Sequence, residues 1–298
     1  MKEKLLRKSL IVNASLVGLF FIWANAYTLI KIAGKDLSPI SIAMARFFIV
    51  FPFLFFFPSI YKISKVAKRD IMKIILIGIL IVPSYHLFLN NAETMINASV
   101  AALIAGFSPV LTGVFSALFL KEKIRSKRVF GFIISVFGVL LLTYGISQKF
   151  EIRNSLGVLL SLCSVTSWAL STVLSKSLYE KYKPLDVTIW AIFIGTLLLL
   201  PFVRMKNIQE IINMSLNSLL AIIYLGFLCI LLGYAVWFKA LEFKEASSTG
   251  AFVYLNPIIG SLSGVVFLHE TINSVMFFGG IVIILGLFFV NPLRMQKN

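Results

Sequence analysis

Apolar residues along this chain come in ten long runs: about 9–31, 38–59, 71–90, 97–119, 127–146, 155–178, 184–203, 216–238, 246–267 and 273–292. A helix rises about 1.5 Å per residue, so about 20 such residues match the ~30 Å hydrocarbon core of a bilayer. The runs predict an all-α integral membrane protein with ten transmembrane helices. The connections are short, which leaves no room for a separate soluble domain.

The pattern is also written twice. Trp23, Lys31 and Pro39 recur 145 residues later as Trp168, Lys176 and Pro184. Gly78, Ala92, Ala98, Ser99, Pro109, Glu122, Gly131 and Gly138 recur 148 residues later as Gly226, Ala240, Ala246, Ser247, Pro257, Glu270, Gly279 and Gly286. Two units follow, residues 1–147 and 148–298. Each holds five spans, an odd number, so the second unit enters the membrane from the opposite side. The expected architecture is two inverted five-helix repeats, related by a pseudo-two-fold axis in the membrane plane with a site near the midplane.

Composition agrees with the pattern. Apolar residues are 59% of the chain and charged ones 13%, against roughly 45–50% and 25% in soluble domains. A net charge of +16 would suggest nucleic acid in a soluble protein. Here the basic residues occupy alternate connections, which points to topology and anionic lipid and to no nucleic acid. Twenty Lys and Arg fall on the side of the termini and six on the other, Lys31, Lys35, Lys149, Arg153, Arg204 and Lys206. Arg46 and Lys176 lie within spans. By the positive-inside rule both termini are cytoplasmic in a multi-pass protein of the cytoplasmic membrane. Cys163 and Cys229 fall inside apolar runs and suggest no disulfide framework. The first run has no evident cleavage site and reads as a span, not a signal peptide.

Few residues inside the spans carry chemistry. Arg46 lies eight residues beyond Ser38, about 12 Å along the helix. A charge at that depth faces protein or water. It reads either as an anchor for a substrate carboxylate, which its planar fork suits, or as a structural bond to helix-end carbonyls. His86 and Asn90 share a face one turn apart, and the repeat matches His86 with Tyr234. The histidine can bind substrate, shuttle a proton or act as a satisfied core donor. Trp23, Tyr27, Trp168, Trp237 and Tyr254 are candidates for an aromatic cavity wall, with core packing as the alternative for each. Pro109 and Pro257 fall inside spans 4 and 9, where a missing N–H frees a carbonyl and permits a hinge. Ser108 and Asn256 precede them, placed to contact substrate or to repair those carbonyls.

No acid falls at mid-membrane: Asp36, Glu93, Glu122, Asp186 and Glu270 lie near span ends. That disfavours a pump for lipophilic cations. The HET at His269 lacks the second histidine of a zinc-protease motif, and GFSPV around Ser108 lacks the last glycine of a nucleophile elbow. No phosphate-binding loop is present. Nothing calls for a metal or a cofactor, and no enzyme is expected.

The residues that carry the repeat also carry a family likeness. The segments AETMINASVAALIAGFSPVLTGVFSALFLKEKIRSKRVFGFIISVFGV and ALEFKEASSTGAFVYLNPIIGSLSGVVFLHETINSVMFFGGIVIILGL resemble the two EamA domains of the drug/metabolite transporter superfamily. Both keep the proline, the acid at the helix end and the glycines that follow. MARFF around Arg46 and FIWAN around Trp23 resemble features of the first domain. The resemblance covers essentially the whole chain. It implies a ten-helix carrier with spans 5 and 10 peripheral and spans 1, 3, 4, 6, 8 and 9 around a central cavity. Ala191 stands where the repeat would put a second Arg46, so any role of that arginine belongs to the first half. The resemblance also implies small polar metabolites as cargo, amino acids or their derivatives first, and export by alternating access. The alternatives are a multidrug exporter or, from other classes, a passive channel or an intramembrane enzyme. The expected partners are a small-molecule substrate and the lipid bilayer, with a homodimer left open.

Overall fold

The described elements are all helical, the form in which an apolar segment satisfies every backbone group internally. The protein is seen as a computed structural model that describes residues 2–56, 62–96, 104–147, 155–256, 258–259 and 273–290. The first run forms α1 (Lys2–Ala24) and α2 (Ala26–Ala33), and the second α3 (Pro39–Phe48) and α4 (Phe51–Phe56). The third forms α5 (Lys68–Ile79) and α6 (Tyr85–Met95). Then come α7 (Ser108–Leu120), α8 (Ser126–Ser147), α9 (Ser155–Lys176) and α10 (Pro184–Leu197). The remainder are α11 (Met205–Ile212), α12 (Leu216–Ile223), α13 (Gly233–Phe243), α14 (Ala246–Gly250) and α15 (Ser274–Val290).

Among the described residues, five helical runs are long and apolar enough to cross a membrane: Ser9–Ala33, Lys68–Met95, Ser155–Lys176, Pro184–Phe202 and Leu216–Phe243. Pro39–Leu54, Ser108–Leu120 and Ser274–Val290 are shorter apolar helices, and α8 has 22 residues. The chain is therefore an all-α, multi-pass membrane protein. Its burial pattern inverts that of a soluble protein. Ser161, Ser164, Ser171, Thr172 and Ser175 of α9 are buried, whereas Leu156 and Leu159 are exposed. Phe130, Ile133 and Phe137 of α8 and Phe277, Phe278 and Phe288 of α15 also face outward. Buried hydroxyls bond back to their own helix, as in Thr188 to the Pro184 carbonyl and Thr196 to the Ile192 carbonyl.

Two runs are not plain α-helices. Leu80–Ser84 is π-helical and contains Pro83, whose missing N–H opens the ladder. Tyr224–Leu232, in the place that the sequence repeat assigns, is π-helical without a proline. The expectation of a mid-helix Pro109 is corrected. The chain turns at Gly106 and Phe107, and Pro109 occupies the first turn of α7, where its missing N–H costs no hydrogen bond. Pro257 lies outside the described residues.

Close helix contacts rest on glycine. A Cβ at Gly131 would sit 2.7 Å from the Gly286 carbonyl oxygen, and one at Gly138 2.7 Å from the Ile283 nitrogen, so α8 and α15 pack backbone to backbone. Between α5 and α10, a Cβ at Gly195 would lie 2.5 Å from the Gly78 carbonyl oxygen and 2.6 Å from Val82. Gly195→Ala gains about 1 kcal/mol of helix propensity, but the backbone oxygen cannot yield cheaply, and overpacking costs about 1–3 kcal/mol. The variant is expected to melt below the parent in detergent. Gly280→Ala, whose Cβ meets open space, is the control expected to match or exceed it.

Outside the spans, Asp36 fastens the turn after α2 to the start of α12. Its Oδ2 accepts from the Ser215 N–H at 2.9 Å, the Ser215 hydroxyl at 2.5 Å and the Ser218 hydroxyl at 2.6 Å. Those bonds, the Ser215 hydroxyl first, hold the carboxyl down at about 2. A depressed pKa gives stability that is present above the unfolded value, about 3.9, and lost as pH falls through about 2. Asp36→Asn is therefore expected to melt below the parent at neutral pH. The gap should close as pH falls below about 4. A gap of equal size at all pH values would assign the effect to something other than the charge.

Candidate functional site

A cavity of about 80 Å³ lies at the centre of the described helices. Trp23, Tyr27 and Ile30 line it from α1 and α2, Arg46 from α3, and Tyr85 and His86 from α6. Ser108 of α7, Trp168 of α9, Cys229 of the second π segment, Tyr234 of α13 and Asn256 complete the wall. Spans 1, 3, 4, 6, 8 and 9 thus surround it, and span 2 contributes through Arg46.

Much of the wall is one aromatic cluster. The Trp23 and Trp168 rings meet edge to face with centroids 5.3 Å apart, and Tyr234 lies 5.7 Å from Trp168. Trp23 Nε1 donates to the Cys229 carbonyl at 3.0 Å, fixing one edge of its ring. His86 Nε2 and the Tyr234 hydroxyl are 2.9 Å apart. In both pairs each residue touches its own repeat counterpart. The Phe47 and Tyr85 rings hold the imidazole from two sides, at 4.8 and 4.7 Å.

Within this apolar wall several polar groups are unmet. Arg46 is 3% exposed, and its Nε and Nη1 have no hydrogen-bond partner among the described residues. The same holds for His86 Nδ1, Ser108 Oγ and Asn256 Oδ1. Buried polar groups are nearly always paired, and a buried charge without a partner is costly. The cavity therefore holds a guanidinium with no anion beside it among the described residues, together with an unpartnered amide oxygen, a hydroxyl and an imidazole nitrogen.

Three of the expected residues lie elsewhere. Trp237 is fully buried and does not line the cavity; its Nε1 donates to Thr172 Oγ1 at 3.3 Å and its ring is tilted against those of Trp23 and Trp168. Tyr254 is fully buried in a separate cluster with Phe132, Val139 and Ile283. Asn90 lines a second opening, a crevice of about 480 Å³ bounded also by Lys31, Lys35, Asp36, Glu93 and Glu210. The crevice and the central cavity share Ile30. Tyr85, Cys229 and Glu93 were not anticipated. Tyr85 adjoins His86, but which of two neighbouring residues faces inward depends on the helix phase after the π segment.

The end of the bundle opposite the crevice is clamped. Glu122 accepts from the Ala246 N–H at 2.8 Å and the Ser247 hydroxyl at 2.9 Å, and Lys176 Nζ stands 3.7 Å from it. Lys176 donates to the Leu241 carbonyl at 3.1 Å and to the Lys244 carbonyl. Arg128 pairs with Glu245 and donates to the Ser247 hydroxyl at 3.0 Å. Lys244 Nζ bonds Asn13 Oδ1 at 2.6 Å, while burial and then Arg128 pull its ammonium down to about 8. Asn13 and Lys31 stand 18 residues apart in one helical run, about 27 Å, which separates clamp from crevice.

Sequence comparisons speak to this arrangement. The family model described as the EamA-like transporter family matches the chain twice, over residues 10–144 and 155–291. An uncharacterized transporter of Archaeoglobus fulgidus is 33% identical over 269 residues, covering 90% of this chain and 94% of that protein. A probable amino-acid metabolite efflux pump of Escherichia coli is 25% identical, covering 93% of each. A solved crystal structure at 16% identity shares the fold with a TM-score of 0.74 over 94% of this chain and 96% of that one.

Proposed function

We infer the activity from one premise: the chain belongs to the EamA-like transporter family of the drug/metabolite transporter superfamily, so it is a secondary transporter of small molecules and not an enzyme. We propose that its cargo is an amino acid or a derivative, exported by alternating access. The observation that carries the reading is Arg46. A guanidinium buried in a small apolar cavity, without a partner among the described residues, asks for an anion, and a carboxylate fits its bidentate geometry. Trp23, Trp168, Tyr85 and Tyr234 would pack the rest of the cargo, with His86, Ser108 and Asn256 as further polar contacts. The name of the Escherichia coli relative, a probable amino-acid metabolite efflux pump, favours the same class.

The two halves, residues 1–147 and 148–298, would rock about a pseudo-two-fold axis through the Trp23–Trp168 and His86–Tyr234 contacts. Reciprocal packing supports this. Gly78 sits against Ala191 and Gly195, while its counterpart Gly226 sits against Arg46 and Val50, the counterparts of those two residues. In a two-fold arrangement, contacts come in such swapped pairs. With the termini cytoplasmic, the crevice opens outward and the clamp closes the inner side.

Reconstitution tests the reading. Counterflow of amino acids in proteoliposomes is expected, with exchange accelerated by cargo on both sides. Uptake without such acceleration would indicate a channel. In cells, a single cysteine at Lys206 should label from outside and one at Lys65 only from the cytoplasm. Labelling of both from the same side would overturn the orientation.

A further inference from the structure

We propose that Asn90 and Glu93 form a subsite for a protonated amine, so that the cargo carries both a carboxylate and an ammonium group. This rests on the reading of Arg46 as the carboxylate anchor and adds the second half of the recognition.

Asn90 is 1% exposed. Its Nδ2 donates to the Pro39 carbonyl at 2.9 Å. Because a carbonyl only accepts, that bond sets which way the amide points and turns Oδ1 the other way. Oδ1 has no partner among the described residues. Glu93 follows at i+3 on α6, on the same face, and its Oε2 is likewise buried without a partner. Both side chains line the crevice.

The two orphans are acceptors, whereas those of Arg46 are donors. An ammonium brings three N–H donors and a positive charge, which satisfies an amide oxygen and a carboxylate together. The other charged groups around the crevice are Lys31, Lys35, Asp36 and Glu210. Lys31 acts on the Glu93 charge but makes no ion pair with it among the described residues. His86, in the central cavity, precedes Glu93 by seven residues on α6, about 10 Å. The carboxylate and amine stations therefore follow one another along a single path, joined at Ile30.

The test uses thermal stabilisation of the full-length purified protein by amino acids whose amine and carboxylate are one to several carbons apart, each with its desamino and decarboxylated analogues. ε-Aminocaproate, caproate and pentylamine form one such set. A ligand that binds the folded state raises its melting temperature, by an amount that grows with the logarithm of its concentration relative to Kd. Removing the amine is expected to weaken binding about tenfold or more, as for the loss of a charge-assisted hydrogen bond. Glu93→Gln should weaken the amino acid by a similar factor and leave the desamino acid unchanged, while Arg46→Lys should weaken both acids. Desamino acids that bind as well as their parents, or an unchanged amino-acid affinity in Glu93→Gln, would overturn the subsite and leave the Arg46 reading standing. Amines that bind through Glu93 with no effect of Arg46→Lys would do the reverse. A panel in which no compound, with or without an amine, stabilises the protein overturns both.

Discussion

Arg46→Lys is expected to lower cargo affinity by about 10–100-fold while the protein remains folded. Lysine keeps the charge but loses the planar fork, and a charge-assisted hydrogen bond is worth about 1.5–3 kcal/mol. Arg46→Leu should abolish measurable transport. The same variant separates a binding role from a structural one. If Arg46 merely held the fold, its removal would destabilise the protein. Its Nε and Nη1 hold nothing among the described residues, so removing an uncompensated buried charge should leave the cargo-free melting temperature unchanged or raised. Unaltered transport in a well-folded Arg46→Leu protein would dismiss the anchor.

The second large effect lies at the clamp. Glu122 is the hub, holding the Ala246 and Ser247 backbone and the Ser247 hydroxyl and facing Lys176. Glu122→Gln keeps the shape and removes the charge. Lys176 then has only the Leu241 and Lys244 carbonyls among these contacts. A loss of about 1.5–3 kcal/mol from the clamped state follows for charged hydrogen bonds of this kind. Conformational populations would then shift about 10–100-fold toward opening at the clamped end. A cysteine at Ser108 should react faster with a membrane-impermeant reagent added from the side of the termini. An unchanged reaction rate, with an unchanged melting temperature, would show that these contacts do not hold that end shut.

Much of this molecule was legible in the sequence because a bilayer imposes simple rules. Ten apolar runs had to be helices, and their described parts are. Span ends came within a few residues where the run was bounded by Ser, Pro or Lys, as at Ser38–Pro39 and Lys183–Pro184. Spans 5 and 10 were expected at the periphery, and α8 and α15 pack chiefly on one another. Local geometry was harder. The break before Pro109 and the π segments depend on which carbonyls find a partner in neighbouring helices, and hydropathy does not register that.

Of the candidate residues, hydropathy and repeat spacing found those whose chemistry is out of place in lipid. Arg46, His86, Ser108 and Asn256 do face the cavity, and Trp23 and Trp168 do meet. A single helix has only a 100° step between neighbours, so one residue of drift decides whether a side chain faces cargo or core. Trp237 and Tyr254 fell on the packing side for that reason, and Tyr85 on the cavity side. The depth of Glu93 could not be judged from its place near a span end. Only the approach of α2, α3 and α11 makes a crevice around it. The sequence by itself determined that this is a membrane protein in which one family pattern occurs twice, with an arginine inside an apolar run, because transfer from water to lipid is costly enough to be read residue by residue. Which end is clamped, and which opening each orphan donor and acceptor lines, was decided by helix packing alone. Those contacts join residues 51 to 206 positions apart and leave no periodic trace along the chain.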